Sequence, residues 1–437
     1  MRYTIKNVHI VRGDQKNAVS YDQWLRVENG KIAAIGSGEP ELQAGEEIID
    51  GKGRWLTPGM YNTHGHTPMA LLRGVSDDVV LQEWLGKNIW PREALFDKEV
   101  SEAGTMLAQA EMIRSGTVAF QDMYHVDMDA VFQTAQASGL KAVLARAMIG
   151  LVDEPEQQRR LDEAVYLGEK WDTEGGPRIK GMMFPHAPYT CPPDFMKKVV
   201  KAAHENKWTL GIHLMETRRE KADYEKENGV DLFNDLMNMG FFEEKTILTH
   251  TVHMSEKEMQ LLKGKPAYIS HNPMSNAKLG SGIMPMMQMK ENGLAISIGT
   301  DSTVSNNNLD MFEEMRMAGF MQKASHENPA VISSEELYRM ATKNGAETLG
   351  FENAGTVEPG ADADFLFIHA EELHLQPKQN IASHLVYAAS GKDVTDVFVN
   401  GHRLMKDREL LTMDEEKIIY NVNRQFDKLE KVYQSRK

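Results

Sequence analysis

Thr63-His64-Gly65-His66 is the first place in this sequence where residue types and spacing point to chemistry. In a strand, residues i and i+2 face the same side, so two imidazoles here would sit about 7 Å apart at the backbone, from a rise of about 3.3 Å per residue. Both rings can then reach one ion. Alone, such a pair is weak evidence, because chance and buried structural pairs also produce it. Three later segments strengthen it. His213 ends TLGIH, His250 ends TILTH and Asp301 closes AISIGTD, each behind an apolar run. A carboxylate directly after a buried strand demands a partner, and a metal ion is a natural one. Three or four nitrogen and oxygen ligands with no thiolate suit zinc, and iron(II) or manganese fit such a donor set as well. Zinc lowers the pKa of a coordinated water to about 7. Glu216, three residues after His213 in HLMET, is placed to move protons beside such a water.

The elements that must position these groups can be counted. Eight strand candidates end near His64-Gly65-His66, Gln121-Asp122, Arg146, His186, His213, His250, His271 and Asp301. Amphipathic stretches such as EVSEAGTMLAQAEMIRSG separate them. Strand–helix alternation predicts a parallel sheet, and eight repeats predict closure into a (β/α)₈ TIM-type barrel with its active groups at the C-terminal strand ends. Outside this region the texture changes. YTIKNVHIV and WLRVENGKIAAIG read as antiparallel strands around Asn29-Gly30, and ADADFLFIH and DVTDVFVNGHRLM repeat the pattern around Asn400-Gly401. Asn-Gly between apolar runs is a strong hairpin signal. The expected organisation is residues 1–56 and 357–437 forming one small β-sandwich from both chain ends, with the barrel at 57–356. The tail carries Ile418, Val422, Phe426, Leu429 and Val432 at helical spacing, which predicts an amphipathic helix packed on the rest of the molecule.

Bulk properties narrow the function. A net charge of −15 opposes nucleic-acid binding, which needs clustered Lys and Arg, and opposes an anionic membrane surface. The single cysteine, Cys191, permits no intramolecular disulfide and fits a reducing compartment. No signal-peptide layout and no run of about 18 apolar residues is present, so the expectation is a cytoplasmic protein acting on a small molecule. A homo-oligomer is left open.

TPGMYNTHGH, HLMETR, LTHTVH, SHNPMSNAKLGSG and IGTDSTVSNNNLDMFEEMR resemble the deaminase–chlorohydrolase branch of the amidohydrolase superfamily. HTPMALLRGVSDD, LQEWL and IWPREALF resemble the 5-methylthioadenosine/S-adenosylhomocysteine deaminases within it, and the likeness runs over nearly the whole chain. The resemblance implies that His64, His66, His213 and Asp301 bind one zinc ion, that His250 polarises the attacking water, and that Glu216 shuttles protons to a purine ring. It implies that Glu93 holds ribose hydroxyls, that Trp84 forms an aromatic wall, that Arg146 and Arg160 meet the homocysteine carboxylate, and that His186 and Ser305 lie near the purine. A carboxylate suits a vicinal diol and an arginine fork suits a carboxylate, so the chemistry agrees.

The expected reaction is hydrolytic removal of the adenine amino group, with Glu216, His250 and Asp301 as the catalytic set. Rival readings are a guanine deaminase or triazine chlorohydrolase of the same branch, or a metal-free binding protein, although the latter should have lost the ligands. Gly36-Ser37-Gly38 lacks the third glycine of a dinucleotide fingerprint, no Walker A or HExxH pattern occurs, and one cysteine cannot build a thiolate-rich deaminase site. His253 and His271 lie near strand ends without a role in this reading.

Overall fold

The computed structural model describes residues 1–14, 19–79 and 83–436, with the side chain of Trp84 outside the described set. The N-terminal strands are β1 (Arg2–Val11), β2 (Val19–Glu28), β3 (Lys31–Ser37) and β4 (Glu47–Pro58). Asn29 and Gly30 both adopt positive φ, 50° and 78°, as a tight hairpin between twisted strands requires. The antiparallel expectation for YTIKNVHIV and WLRVENGKIAAIG holds for β1–β2 and β2–β3, while β4, outside those stretches, pairs with β1 in parallel. With β2 on one edge of β1, the returning chain takes the other edge in the same direction.

The barrel strands follow: β5 (Met60–Asn62), β6 (Thr117–Tyr124), β7 (Lys141–Met148), β8 (Ile179–Gly181), β9 (Phe184–Pro185), β10 (Leu210–Leu214), β11 (Thr246–His250), β12 (Ala267–His271) and β13 (Ala295–Ile298). β5 to β8 form one parallel sheet, with β9 continuing against β7, and β10 to β13 form another. Hydrogen bonds join both seams. Met183 bridges Leu210 in parallel, and Thr63 N–H donates to Ile298 O over 3.1 Å. β8 and β9 together form the fourth of the eight staves of this (β/α)₈ barrel. The separating helices start where carboxylates accept orphan N–H groups: Asp97 caps Lys98–Arg114 and Asp153 caps Glu154–Glu174.

The chain returns through β14 (Phe365–Ile368), β15 (Val394–Val399), β16 (His402–Lys406) and β17 (Glu409–Leu410). These join β4 in a single mixed sheet ordered β17-β16-β15-β14-β4-β1-β2-β3. A bridge from Lys31 to Asp362 curls the sheet over its own core of Ile5, Ile10, Leu25, Phe365, Phe367 and Phe398. The C-terminal helix, Glu415–Ser435, packs on helix Lys98–Arg114. Ile418 and Leu429 are buried and Val422 and Phe426 half-buried, but Val432 faces solvent. The predicted stripe drifts by one residue at its end, where Tyr433 turns inward instead.

Candidate active site

His64 and His66 sit beyond the end of β5 rather than within a strand. Asn62 causes this: its side chain accepts the Thr300 N–H at 2.9 Å and donates to Thr300 Oγ1 at 2.7 Å, ending the ladder. The in-strand geometry expected from the HxH spacing is therefore wrong. The turn instead brings the two ring centroids to 4.7 Å with the planes near perpendicular.

His213 closes in from β10, its Nε2 3.1 Å from His64 Nε2. Asp301 Oδ1 lies 3.2 Å from His66 Nε2 and 3.5 Å from His64 Nε2. The outer ring nitrogens are committed elsewhere. His66 Nδ1 meets Met123 O at 2.8 Å, and His213 Nδ1 meets His186 O at 2.8 Å. A carbonyl only accepts, so both Nδ1 atoms carry the proton and both Nε2 atoms present lone pairs. Burial pushes His64 down to about 4 and His213 well below the usual histidine range, so neither ring is charged at neutral pH. His66 differs: burial lowers it, but the hydrogen bond to Asp301 outweighs burial and raises it above the usual histidine range. Imidazole nitrogens and a carboxylate gathered this closely are donors of the kind a divalent metal ion takes.

His250 is built the other way. Asn276 Nδ2 donates to its Nδ1 at 3.0 Å and Asn272 Nδ2 approaches at 3.3 Å, leaving an N–H on Nε2. That N–H faces Glu216, whose Oε2 is 3.7 Å away. Burial first, and then the charge of Asp301, push the Glu216 carboxyl up to about 8. Glu216 so holds a proton at neutral pH. Ser275 Oγ donates to Asp301 Oδ2 at 2.6 Å, and Ser305 Oγ donates to the same oxygen at 3.2 Å. Met215, His250, Thr251 and Asp301 all adopt positive φ, between 49° and 74°, costly for residues with side chains and typical of functional strand ends.

These groups line one cleft with about 710 Å³ of empty space, its open mouth included. His66, His213, Glu216, His250 and Asp301 form its floor, with His64 fully buried behind them. Glu93, His186 and Ser305 also line it. Glu93 accepts from Tyr124 Oη at 2.5 Å, and His186 Nδ1 lies 2.9 Å from Thr190 Oγ1. Arg146 and Arg160 do not reach the wall. Arg146 pairs with Glu163 at 3.0 Å and donates to Ala147 O, while Arg160 pairs with Glu156 at 2.8 Å and donates to Ile149 O. Trp84 was expected as a wall; its side chain lies outside the described residues. His253 Nε2 donates to Ser281 O at 2.8 Å. Neither ring nitrogen of His271 has a hydrogen-bond partner among the described residues.

Sequence reasoning missed Tyr124, His125 and Tyr189 in the lining, the asparagines behind His250, and Glu220. Glu220 accepts the backbone N–H of Met215 at 2.6 Å and of Glu216 at 3.3 Å. The signal for it was present: it stands at the third position of helix Arg218–Asn228, where a glutamate reaches back over the helix start.

Fold and site together define a barrel hydrolase whose strand ends converge on one point. Residues 55–404 match the amidohydrolase family, and the chain belongs to that family. It is 44% identical over 429 residues to a 5-methylthioadenosine/S-adenosylhomocysteine deaminase of Halalkalibacterium halodurans, covering 97% of this chain and 98% of the relative. It is 42% identical over 433 residues to the protein of the same name from Shouchella clausii, covering 98% and 100%. Among solved structures, a zinc-bound adenosine deaminase from Xanthomonas campestris superposes with a TM-score of 0.92 at 31% identity, covering 98% of each chain.

Proposed function

We propose that this protein hydrolyses the C6 amino group of the adenine ring in S-adenosylhomocysteine and 5-methylthioadenosine, releasing ammonia and the inosyl product. The observation that carries the reading is full-length identity above 40% to deaminases of that name, in a chain whose cleft holds a protonated acid beside a cluster of metal-donor side chains. His64, His66, His213 and Asp301 would hold one divalent ion, zinc by preference, as in the zinc-bound relative. Such an ion supplies Lewis acidity that makes water a nucleophile at neutral pH.

The remaining chemistry belongs to side chains. Glu216 gives its proton to N1 of the purine, which draws electron density from C6. Water adds to C6 while the His250 Nε2–H donates to the incoming oxygen. Asp301 takes a proton from the adding water and that proton passes to the amino group; the C6–N bond breaks, ammonia leaves, and the C6 hydroxyl proton, lost as the carbonyl forms, returns to Glu216. Glu93 accepts from the ribose hydroxyls, and His186 and Ser305 flank the base. Arg146 and Arg160 stand one layer behind Ala147 and Ile149, and a homocysteine carboxylate would draw them from Glu163 and Glu156. No helix among the described residues is long and apolar enough to cross a membrane, which agrees with a cytoplasmic setting.

The test is ammonia release from S-adenosylhomocysteine, 5-methylthioadenosine, adenosine and guanine, with metal analysis of the same preparation. Turnover of the first two with bound metal is expected. Guanine turnover without adenine-nucleoside turnover would replace this reading with its nearest rival.

A further inference from the structure

Glu93 belongs to a helix of four residues, Trp90–Glu93, preceded by a π-helical turn, Trp84–Ile89. Four residues close too few hydrogen bonds to hold a helix in place, so packing must do it. Apart from that π-helical turn, the C-terminal helix makes the most extensive contact with it. The grip is specific. Arg92 is buried and donates through Nε to Glu430 Oε1, with Nη2 3.4 Å from Oε2. Its guanidinium lies 3.9 Å over the Tyr433 ring. Its Nη1 donates to Asn88 O at 2.9 Å, which ties the π-helical turn to the same group.

The C-terminal helix also holds the chain just beyond Glu93. Gln425 Nε2 donates to Glu99 Oε2 at 2.9 Å, and Lys428 Nζ lies 3.4 Å from both Asp97 and Glu99. Adjacent residues thus face apart: Arg92 toward the C-terminal helix, Glu93 into the cleft, where Tyr124 Oη steadies one carboxylate oxygen.

We propose that the C-terminal helix positions the substrate-binding acid: Glu430 and Tyr433 hold Arg92, and Arg92 sets the direction of Glu93. Arg92 is a positioning residue, with no contact of its own to substrate. The inference rests on Glu93 as the acceptor of the ribose hydroxyls, and the experiment separates the two.

The experiment measures kcat/KM for 5-methylthioadenosine and for its 2′-deoxy and 3′-deoxy counterparts, in the wild type, Arg92→Ala and Glu430→Gln. Metal content and the far-ultraviolet circular dichroism of each are recorded alongside. Hydrogen bonds to a charged acceptor contribute about 1.5–3 kcal/mol, so the wild type should prefer the intact ribose by about 10- to 100-fold. In Arg92→Ala that preference should shrink to within about threefold, with a raised KM and unchanged metal content, because a displaced Glu93 no longer distinguishes the sugars. Glu430→Gln, which keeps size and loses charge, should fall between. A wild type indifferent to the missing hydroxyls would remove the Glu93 role itself. A discriminating wild type with the same preference in folded Glu430→Gln and Arg92→Ala would overturn the positioning role alone, and Glu430→Gln decides if Arg92→Ala does not fold.

Discussion

The two ends of the barrel treat buried charge in opposite ways. At the N-terminal end, Lys141 opens β7 fully buried, and its Nζ pairs with Asp364 and, at 2.6 Å, with Asp362. Tyr61 Oη donates to Asp364 at 2.7 Å, and the Asn400 N–H donates to the other oxygen at 2.7 Å. Every charge there meets an opposite charge or a donor from within the chain. At the C-terminal end, Glu216, Glu93 and Asp301 share a cleft with histidines, and no lysine or arginine lines it among the described residues. The first arrangement is complete as folded. The second is completed only by something brought in, which is why it reads as a site and the other as structure.

The largest expected effect tests the open end. Glu216→Gln keeps the shape and removes the proton carrier. Turnover should fall by about 10²–10⁴-fold, with metal content unchanged, as read by ammonia release and metal analysis. Near-normal turnover would end the proton-transfer role. The matching change at the closed end is Lys141→Met. Removing the cation leaves the buried Asp364 without a counter-ion, while half-buried Asp362 keeps Lys31, which should cost about 3–5 kcal/mol in denaturant unfolding while leaving kcat per folded molecule intact. A loss of kcat without a loss of stability would erase the contrast between the ends.

A smaller effect sharpens the metal assignment. Ser275 Oγ orients the Asp301 carboxylate from behind. Ser275→Ala should weaken zinc affinity by about 10–100-fold in a competition titration, as loss of such an outer partner does. Unchanged affinity would mean that Asp301 is oriented by Ser302 N–H, 2.7 Å away, and Ser305 alone.

The eight strand ends were legible because each apolar run stops at a polar residue of distinct type, and runs of four to eight apolar residues have few other uses. The floor of the cleft was therefore readable from His64, His213, His250 and Asp301. The walls were not. His125 and Tyr189 belong to connections whose path depends on tertiary packing rather than on any local period, and Tyr124 closes β6 two residues beyond the strand end expected at Gln121-Asp122. The internal pairing of Arg146 with Glu163 was hidden for the same reason, since nothing in LARAM shows what a strand end faces. Local signals also misled twice: the HxH spacing suggested strand geometry that Asn62 breaks, and the tail stripe favoured Val432 where packing chose Tyr433.

The smallest effect concerns pH and tests whether the open end is truly uncompensated. Burial first, and then the charge of neighbouring Glu216, push the Glu220 carboxyl up to about 8, matching Glu216. Unfolded glutamates titrate near 4.3. Between those values the folded, metal-free protein binds more protons than the unfolded chain, so its stability falls as pH rises. The lowered histidines act in the opposite sense: His64 and His250, held near 4 by burial, make stability rise with pH, but only up to about 6.5, where unfolded histidine has lost its proton. In the window from pH 6.5 to about 8 the buried carboxyls, together with His66, which Asp301 raises against burial, set the slope. Chelated wild type should lose melting temperature steadily across it, and Glu220→Gln, which still accepts the Met215 N–H, should show a shallower slope. Glu314, raised by burial as well, keeps that slope from vanishing. Identical slopes in the two proteins would show that Glu220 carries no trapped proton and that the C-terminal end of the barrel is better compensated than its geometry indicates.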